Sequence, residues 1–94
     1  MLKGAPEFAA LSHENKLLRG PFAAVRNQAG DRWIVTAWTP LSRVWDNPRV
    51  PCFHSDPAMP DCPSGETVRA HGFIWFHQGR DIDSFLESAA RQLA

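Results

Sequence analysis

Between Arg43 and Cys62 the chain gathers a mixture of side chains able to do chemistry, among them Arg43, Trp45, Asp46, Arg49, Cys52, His54, Asp56 and Cys62. An indole can stack on a sugar face while guanidinium, imidazole and carboxylate groups hydrogen-bond its hydroxyls, so Trp45, Arg49, His54 and Asp56 form a candidate carbohydrate-binding set. An ordinary polar loop has the same composition, with Trp45 pinning it to the core and the charges solvated. Cys52 and His54 stand two apart and share a strand face, and Cys62, His71 and His77 would complete a nitrogen and sulfur set of the kind zinc accepts, though in no familiar ligand spacing. No metal or cofactor is therefore assigned. A Cys52 and His54 dyad lacks an orienting group and oxyanion donors in the pattern. The serines at 12, 42, 55, 64, 84 and 88 lie in no Gly-x-Ser-x-Gly elbow, and no glycine-rich phosphate loop occurs, so no catalytic residue is assigned.

The strand most able to organise these groups is Thr67 to Gln78, TVRAHGFIWFHQ. Val68, Ala70, Gly72, Ile74 and Phe76 alternate with Arg69, His71, Phe73, Trp75 and His77, and the first set reads as the buried face, with Ile34 or Val35 and Phe85 as neighbours. The second, mixed face reads as a contact surface. Phe22 to Asn27 and Arg32 to Thr39 flank a Gln28-Ala29-Gly30-Asp31 turn and predict an antiparallel hairpin. Its second strand is apolar on both faces and belongs in the middle of a sheet or between two layers. Pro40 ends it. Leu41 to Gly65 holds five of the eight prolines, six with Pro40, and reads as irregular, with at most a short edge strand at Val50 to His54. Ala5 to Leu18 suggests one or two helical turns closed by Gly20-Pro21, and Asp81 caps a terminal helix from Ile82 to Leu93 with an Ile82, Phe85, Leu86, Ala89, Leu93 stripe.

Composition narrows the function classes. Ninety-four residues allow one small domain, burying roughly 60 to 65% of the surface its unfolded chain exposes. Four Trp and six Phe within a 44% apolar chain suit a packed core. Ten Lys and Arg against ten Asp and Glu, without a like-charge block, leave no electrostatic footprint for nucleic acid or an anionic membrane. No apolar run reaches a membrane span and Met1 to Gly20 has no signal core, so a cytoplasmic location is the default. Cys52 and Cys62 are then expected as free thiols.

Cys52-Phe53-His54, Met59-Pro60-Asp61, Ser64-Gly65-Glu66-Thr67 and the strand ending at Phe76 resemble the last segment of the aldose 1-epimerase, or galactose mutarotase-like, β-sandwiches. There a Cys-Leu-Glu-Thr-Gln strand is followed by Pro-Asp, Pro-Gly-Glu and a terminal strand closing in Phe. The resemblance covers the last third to half of the chain. The family's catalytic glutamate would fall near His54 or Ser55, neither a carboxylate, and its upstream histidine has no counterpart here. The resemblance thus implies a sugar-associated sandwich edge without the epimerase machinery.

The expected molecule is a single domain over 1–94, mainly β with short flanking helices, built as a small antiparallel sandwich-like sheet with a C-terminal amphipathic helix. Its expected role is a non-catalytic carbohydrate-associated module, with a protein-interaction or oligomerisation module as the alternative and a zinc-binding domain behind both. A chain matching only the end of a larger sandwich leaves strand edges unpaired, which makes a homo-oligomer the expected state.

Overall fold

The computed structural model describes residues 15–47 and 52–93. Six strands run in chain order: β1 (Lys16–Arg19), β2 (Phe22–Arg26), β3 (Arg32–Thr39), β4 (Leu41–Asn47), β5 (Cys52–Pro57) and β6 (His71–Gln78), followed by the helix α1 (Ile82–Leu93). The fold is mainly β, with two antiparallel sheets: a four-stranded one in the order β1-β2-β3-β6 and the β4–β5 hairpin. The hairpin packs on β2 and β3 from one side and α1 covers the other side, so the four-stranded sheet is a middle layer.

The β2–β3 hairpin forms as its sequence predicts, and Asn27 organises its turn. The Asn27 Oδ1 accepts from the backbone N–H groups of Gly30 (2.9 Å), Asp31 (3.1 Å) and Arg32 (3.2 Å), while Nδ2 donates to Asp31 Oδ1 at 2.8 Å. One buried amide thus satisfies three backbone donors that no ladder reaches. Gly30 takes φ +77°, a conformation that a side chain strains. β3 sits between β2 and β6, and Trp33, Val35 and Ala37 are buried together with Phe22 and Ala24 of β2 and Leu86 and Ala89 of α1. Asp81 caps α1, accepting from the Ser84 N–H at 3.1 Å and the Ser84 hydroxyl at 2.8 Å, and these bonds hold its carboxyl below the usual aspartate range.

Three expectations are corrected. The organising strand is shorter, beginning at His71 rather than Thr67, and its faces are reversed. Phe73, Trp75 and His77 are the half-buried residues, whereas Ile74 is 66% and Phe76 80% exposed. Register explains this: Trp33, Val35 and Ala37 pair with His77, Trp75 and Phe73, so the face that α1 buries on β3 continues onto the aromatic face of β6. Phe85 then stacks on His77, with centroids 4.4 Å apart, and meets Trp75 edge-on at 6.1 Å. Three rings offer more area to the helix than Ile74 and Phe76, and the larger burial decides the orientation. Ile34 is the cross-strand neighbour of Phe76 as expected, but Phe85 lies across the sheet from it. The Trp75 face is consequently the helix-packed one and not the free surface.

The second correction is the β4–β5 hairpin, where an irregular loop was expected. Prolines 40 and 57 fall at the ends of its strands, where a missing N–H breaks no internal pair. The third is the end of the expected N-terminal helix, where Lys16, Leu17 and Leu18 lie in β1 and not in a helix. The rest of the expected N-terminal helix, through residue 14, lies outside the described residues, as does the 48–51 connection.

Truncation separates the two faces. Leu86→Ala should cost about 3 kcal/mol because it empties the space between α1 and β3. Phe76→Ala should change stability by no more than about 0.5 kcal/mol in dilute solution, since its ring has little to lose on the exposed face. Denaturant midpoints of both variants check the pair.

Candidate functional site

Three of the four sequence-selected ligand residues come together on the β4–β5 hairpin. Trp45 pairs with His54 and Arg43 with Asp56 across the ladder, so all four side chains project from the outer face, away from the four-stranded sheet. The Trp45 and His54 rings stack with centroids 4.2 Å apart and planes within 7°. Trp45 Nε1–H donates to Asp56 Oδ2 at 2.8 Å, and Arg43 Nε–H donates to the same oxygen at 3.1 Å. The Arg43 guanidinium also lies 5.1 Å from the centre of the Trp45 ring. These groups engage one another, which fixes the outer face of the hairpin and occupies donors a sugar hydroxyl would need. Arg49, the fourth member, lies outside the described residues. Arg43 was absent from the selected set although it shares the carboxylate with Trp45; its position two residues before Trp45 was the available signal.

The bonds from Trp45 and then Arg43 hold the Asp56 carboxyl below the usual aspartate range, opposed by partial desolvation. A depressed folded-state pKa means that the charged form of Asp56 favours the hairpin above the ordinary aspartate value, and that this contribution disappears as pH falls through the folded value.

The candidate metal ligands do not converge. Among the described residues no three His, Cys, Asp or Glu side chains are placed to hold an ion. Cys52 is a half-buried free thiol on β5, and Cys62 is exposed in the following loop with its Sγ 3.1 Å from the Glu66 carbonyl oxygen. His54 stacks on Trp45 while His77 stacks on Phe85, on different layers of the molecule. The Nε2 of His77 and the Nε1 of Trp33, cross-strand neighbours, are buried without a hydrogen bond among the described residues.

Sequence reading missed the inner face of the hairpin. Ser55, between His54 and Asp56, points the opposite way and is buried. Its hydroxyl donates to the Pro21 carbonyl at 2.9 Å and accepts from the Trp38 N–H at 3.2 Å, filling the place of the next β2–β3 ladder bond. Ser55 is thus a side chain that joins the sheets. On the same inner side Lys16, with its side chain only 3% exposed, reaches Asp46 at 3.4 Å and the Cys52 carbonyl at 3.3 Å.

The other surface feature lies on β6. Among the described strands it has one neighbour, β3, and its far side is open. Gly79 N–H bonds the Asp31 carbonyl at 2.7 Å, and antiparallel pairs alternate between bonded and non-bonded. Trp33↔His77, Val35↔Trp75 and Ala37↔Phe73 are therefore the bonded pairs, and Gly72, Ile74, Phe76 and Gln78 turn their N–H and C=O groups outward. The same four residues carry the side chains of the face that α1 leaves bare. Beside them a shallow hollow of about 410 Å³ is lined by Thr36, Trp38, Gly72, Phe73 and Ile74. Trp38 lies against Gly72, where a Cβ would stand 2.8 Å from the indole. A second hollow, of about 490 Å³, separates α1 from the β1–β2 turn beside the Arg19 and Asp83 ion pair.

No protein-family model matches this chain, and neither a curated protein nor a solved structure matches it.

Two measurements check the hairpin. The carboxyl titration of Asp56, followed by NMR, should have its midpoint below the ordinary aspartate value of about 3.9, and Trp45→Phe should raise it more than Arg43→Ala does. Ser55→Ala should cost about 2 kcal/mol, because it strands the Trp38 N–H and the Pro21 carbonyl in a buried place.

Proposed function

We propose that this chain is a non-catalytic protein-interaction module that accepts an extended polypeptide along the open edge of β6. The observation carrying this reading is the coincidence on Gly72, Ile74, Phe76 and Gln78 of outward backbone groups and bare side chains, with Ile74 66% and Phe76 80% exposed. A strand added there gains main-chain hydrogen bonds and covers apolar area in one event, which is how β-augmentation combines affinity with side-chain selectivity. The opposite edge offers no such site: β1 is four residues long and carries Lys16 and Arg19, features that discourage strand addition. β6 has eight residues and no Lys, Arg, Asp, Glu or Pro.

A panel of short peptides with alternating apolar residues tests this. Binding should protect the amides of Ile74 and Phe76 from exchange, while those of Phe73 and Trp75, already bonded to β3, change little. Ile74→Pro should abolish binding without unfolding the chain, because it removes an outward N–H and none of the β3 ladder. Peptides that bind without protecting Ile74 and Phe76 would rule out the edge.

The carbohydrate reading keeps one supporting observation, the convergence of Trp45, His54 and Asp56 on one outer face. On that reading a sugar would compete with Asp56 for the Trp45 N–H, and binding would be weak. Epimerisation needs a base and an acid converging on one sugar. No mutarotation of glucose or galactose above background is expected by polarimetry, and activity abolished by His54→Ala would overturn the non-catalytic assignment. Sugar titration that perturbs Trp45 and His54 resonances, but not those of β6, would favour this second reading over the first.

A further inference from the structure

Resting on the interaction reading, we infer that the strand accepted by β6 is β6 of a second copy, joined antiparallel about a two-fold axis through Ile74. Such an edge is self-complementary, since an antiparallel pair of identical strands places each residue i opposite a residue j and j opposite i. Electrostatics permit it: the strand carries no formal charge apart from any on its histidines, and ten basic residues balance ten acidic ones over the whole chain. The two copies meet without net repulsion.

Hydrogen-bond parity narrows the register. Only Gly72, Ile74, Phe76 and Gln78 offer outward N–H and C=O groups, so bonded pairs across the axis must be drawn from these positions in both copies. The registers that use most of the strand place the axis at Ile74, Trp75 or Phe76, and an axis at Phe76 sets Ile74 against Gln78 and brings no ring of the second copy to Gly72. An axis at Trp75 sets Gly72 against Gln78 and leaves the hollow beside Trp38 uncovered. With the axis at Ile74, Ile74 faces its own copy and Phe76 of the second copy falls opposite Gly72, at the edge of the hollow lined by Thr36, Trp38, Gly72, Phe73 and Ile74. Gly72 has no side chain to resist it, and the Trp38 indole gives the incoming ring an aromatic wall. The Ile74 axis is the one that fills space.

The area agrees with a specific contact. The exposed parts of Phe76 and Ile74, with the half-exposed Ile34, Thr36 and Trp38 and the strand backbone, provide roughly 500 Å² per copy, or about 1,000 Å² in total, the lower bound for a specific interface. A contact of this size is that of a reversible dimer rather than of an obligate one. The eight strands of the two four-stranded sheets would then run as one continuous sheet, with Ile74 and Phe76 of both copies in a single apolar patch.

Sedimentation velocity over a concentration series, with exchange and cross-linking, tests this. The expected result is a monomer–dimer equilibrium that Phe76→Lys weakens about 100-fold, with Ile74→Lys as a second variant, both keeping the dilute-solution melting point of the parent. Ile74→Cys, in a background with Cys52→Ser and Cys62→Ser, should oxidise to a covalent dimer, because directly opposed residues of a bonded pair have Cα atoms about 5.5 Å apart. A monomer at every concentration overturns the inference, and so does a dimer insensitive to both lysine variants or one cross-linked through Trp75→Cys instead. If the monomer still binds strand peptides with protection of Ile74 and Phe76, the interaction reading stands and only the second copy is lost. If it binds none, both fall.

Discussion

The structure depends on covering β3. This strand is bonded on both edges and apolar on both faces, so it is stable only between layers, and among the described residues two elements lie over it. A twelve-residue helix serves one side, with Leu86 and Ala89 against Trp33, Val35 and Ala37. The β4–β5 hairpin serves the other, burying Ala23 and Val25 of β2. The hairpin covers the β1–β2 half and leaves Ile34, Thr36 and Trp38 only half-buried as the face runs on to β6. Among the described residues no third element covers that face. The strip on β3 and β6 is what these two elements leave bare, with Ile74 and Phe76 exposed.

Polar groups settle where the hairpin sits. A purely apolar contact between sheets tolerates sliding, whereas Ser55 must meet both the Pro21 carbonyl and the Trp38 N–H, and Lys16 must reach Asp46 and the Cys52 carbonyl. Burying the Lys16 ammonium is costly, and its pairing with Asp46 offsets that cost without adding much stability. Its effect is on position, because a hairpin displaced by one residue would strand the ammonium and two backbone groups. The outer cluster of Arg43, Trp45, His54 and Asp56 depends on this placement in turn, since alternation along β4 and β5 ties the outward residues to the inward ones.

Much of this was legible in the sequence where a local signal coincided with a tertiary need. Asp81 with a five-member apolar stripe specified α1 to its observed bounds, and the Gln28 to Asp31 turn between two apolar runs specified β2 and β3. β4 and β5 were obscured because prolines cluster around them, although the prolines at 40 and 57 mark strand ends. The faces of β6 were misjudged because alternation divides residues into two sets without saying which is covered, and that choice came from register with Trp33, Val35 and Ala37. Trp45, His54 and Asp56 were recognised as a group, but that they satisfy one another was not, since cross-strand pairing carries no signature within a single strand.

Period two in β6 also divides the roles of its residues. At odd positions Phe73, Trp75 and His77 direct their side chains to α1 and their backbone groups to β3, so both halves of each residue serve the fold. At even positions Gly72, Ile74, Phe76 and Gln78 direct both outward. Proteins normally blunt such an edge with lysine, proline or a bulge. None interrupts this one; its register with β3 is continuous from His71 to Gln78. The residues that serve the fold and those left exposed at the edge are thereby interleaved, so on the proposed reading the edge could change its partner with little effect on the core. The two sets meet at the hollow beside Trp38, which Phe73 lines together with Gly72 and Ile74, and the lack of a side chain at Gly72 lets the Trp38 indole lie against the strand there.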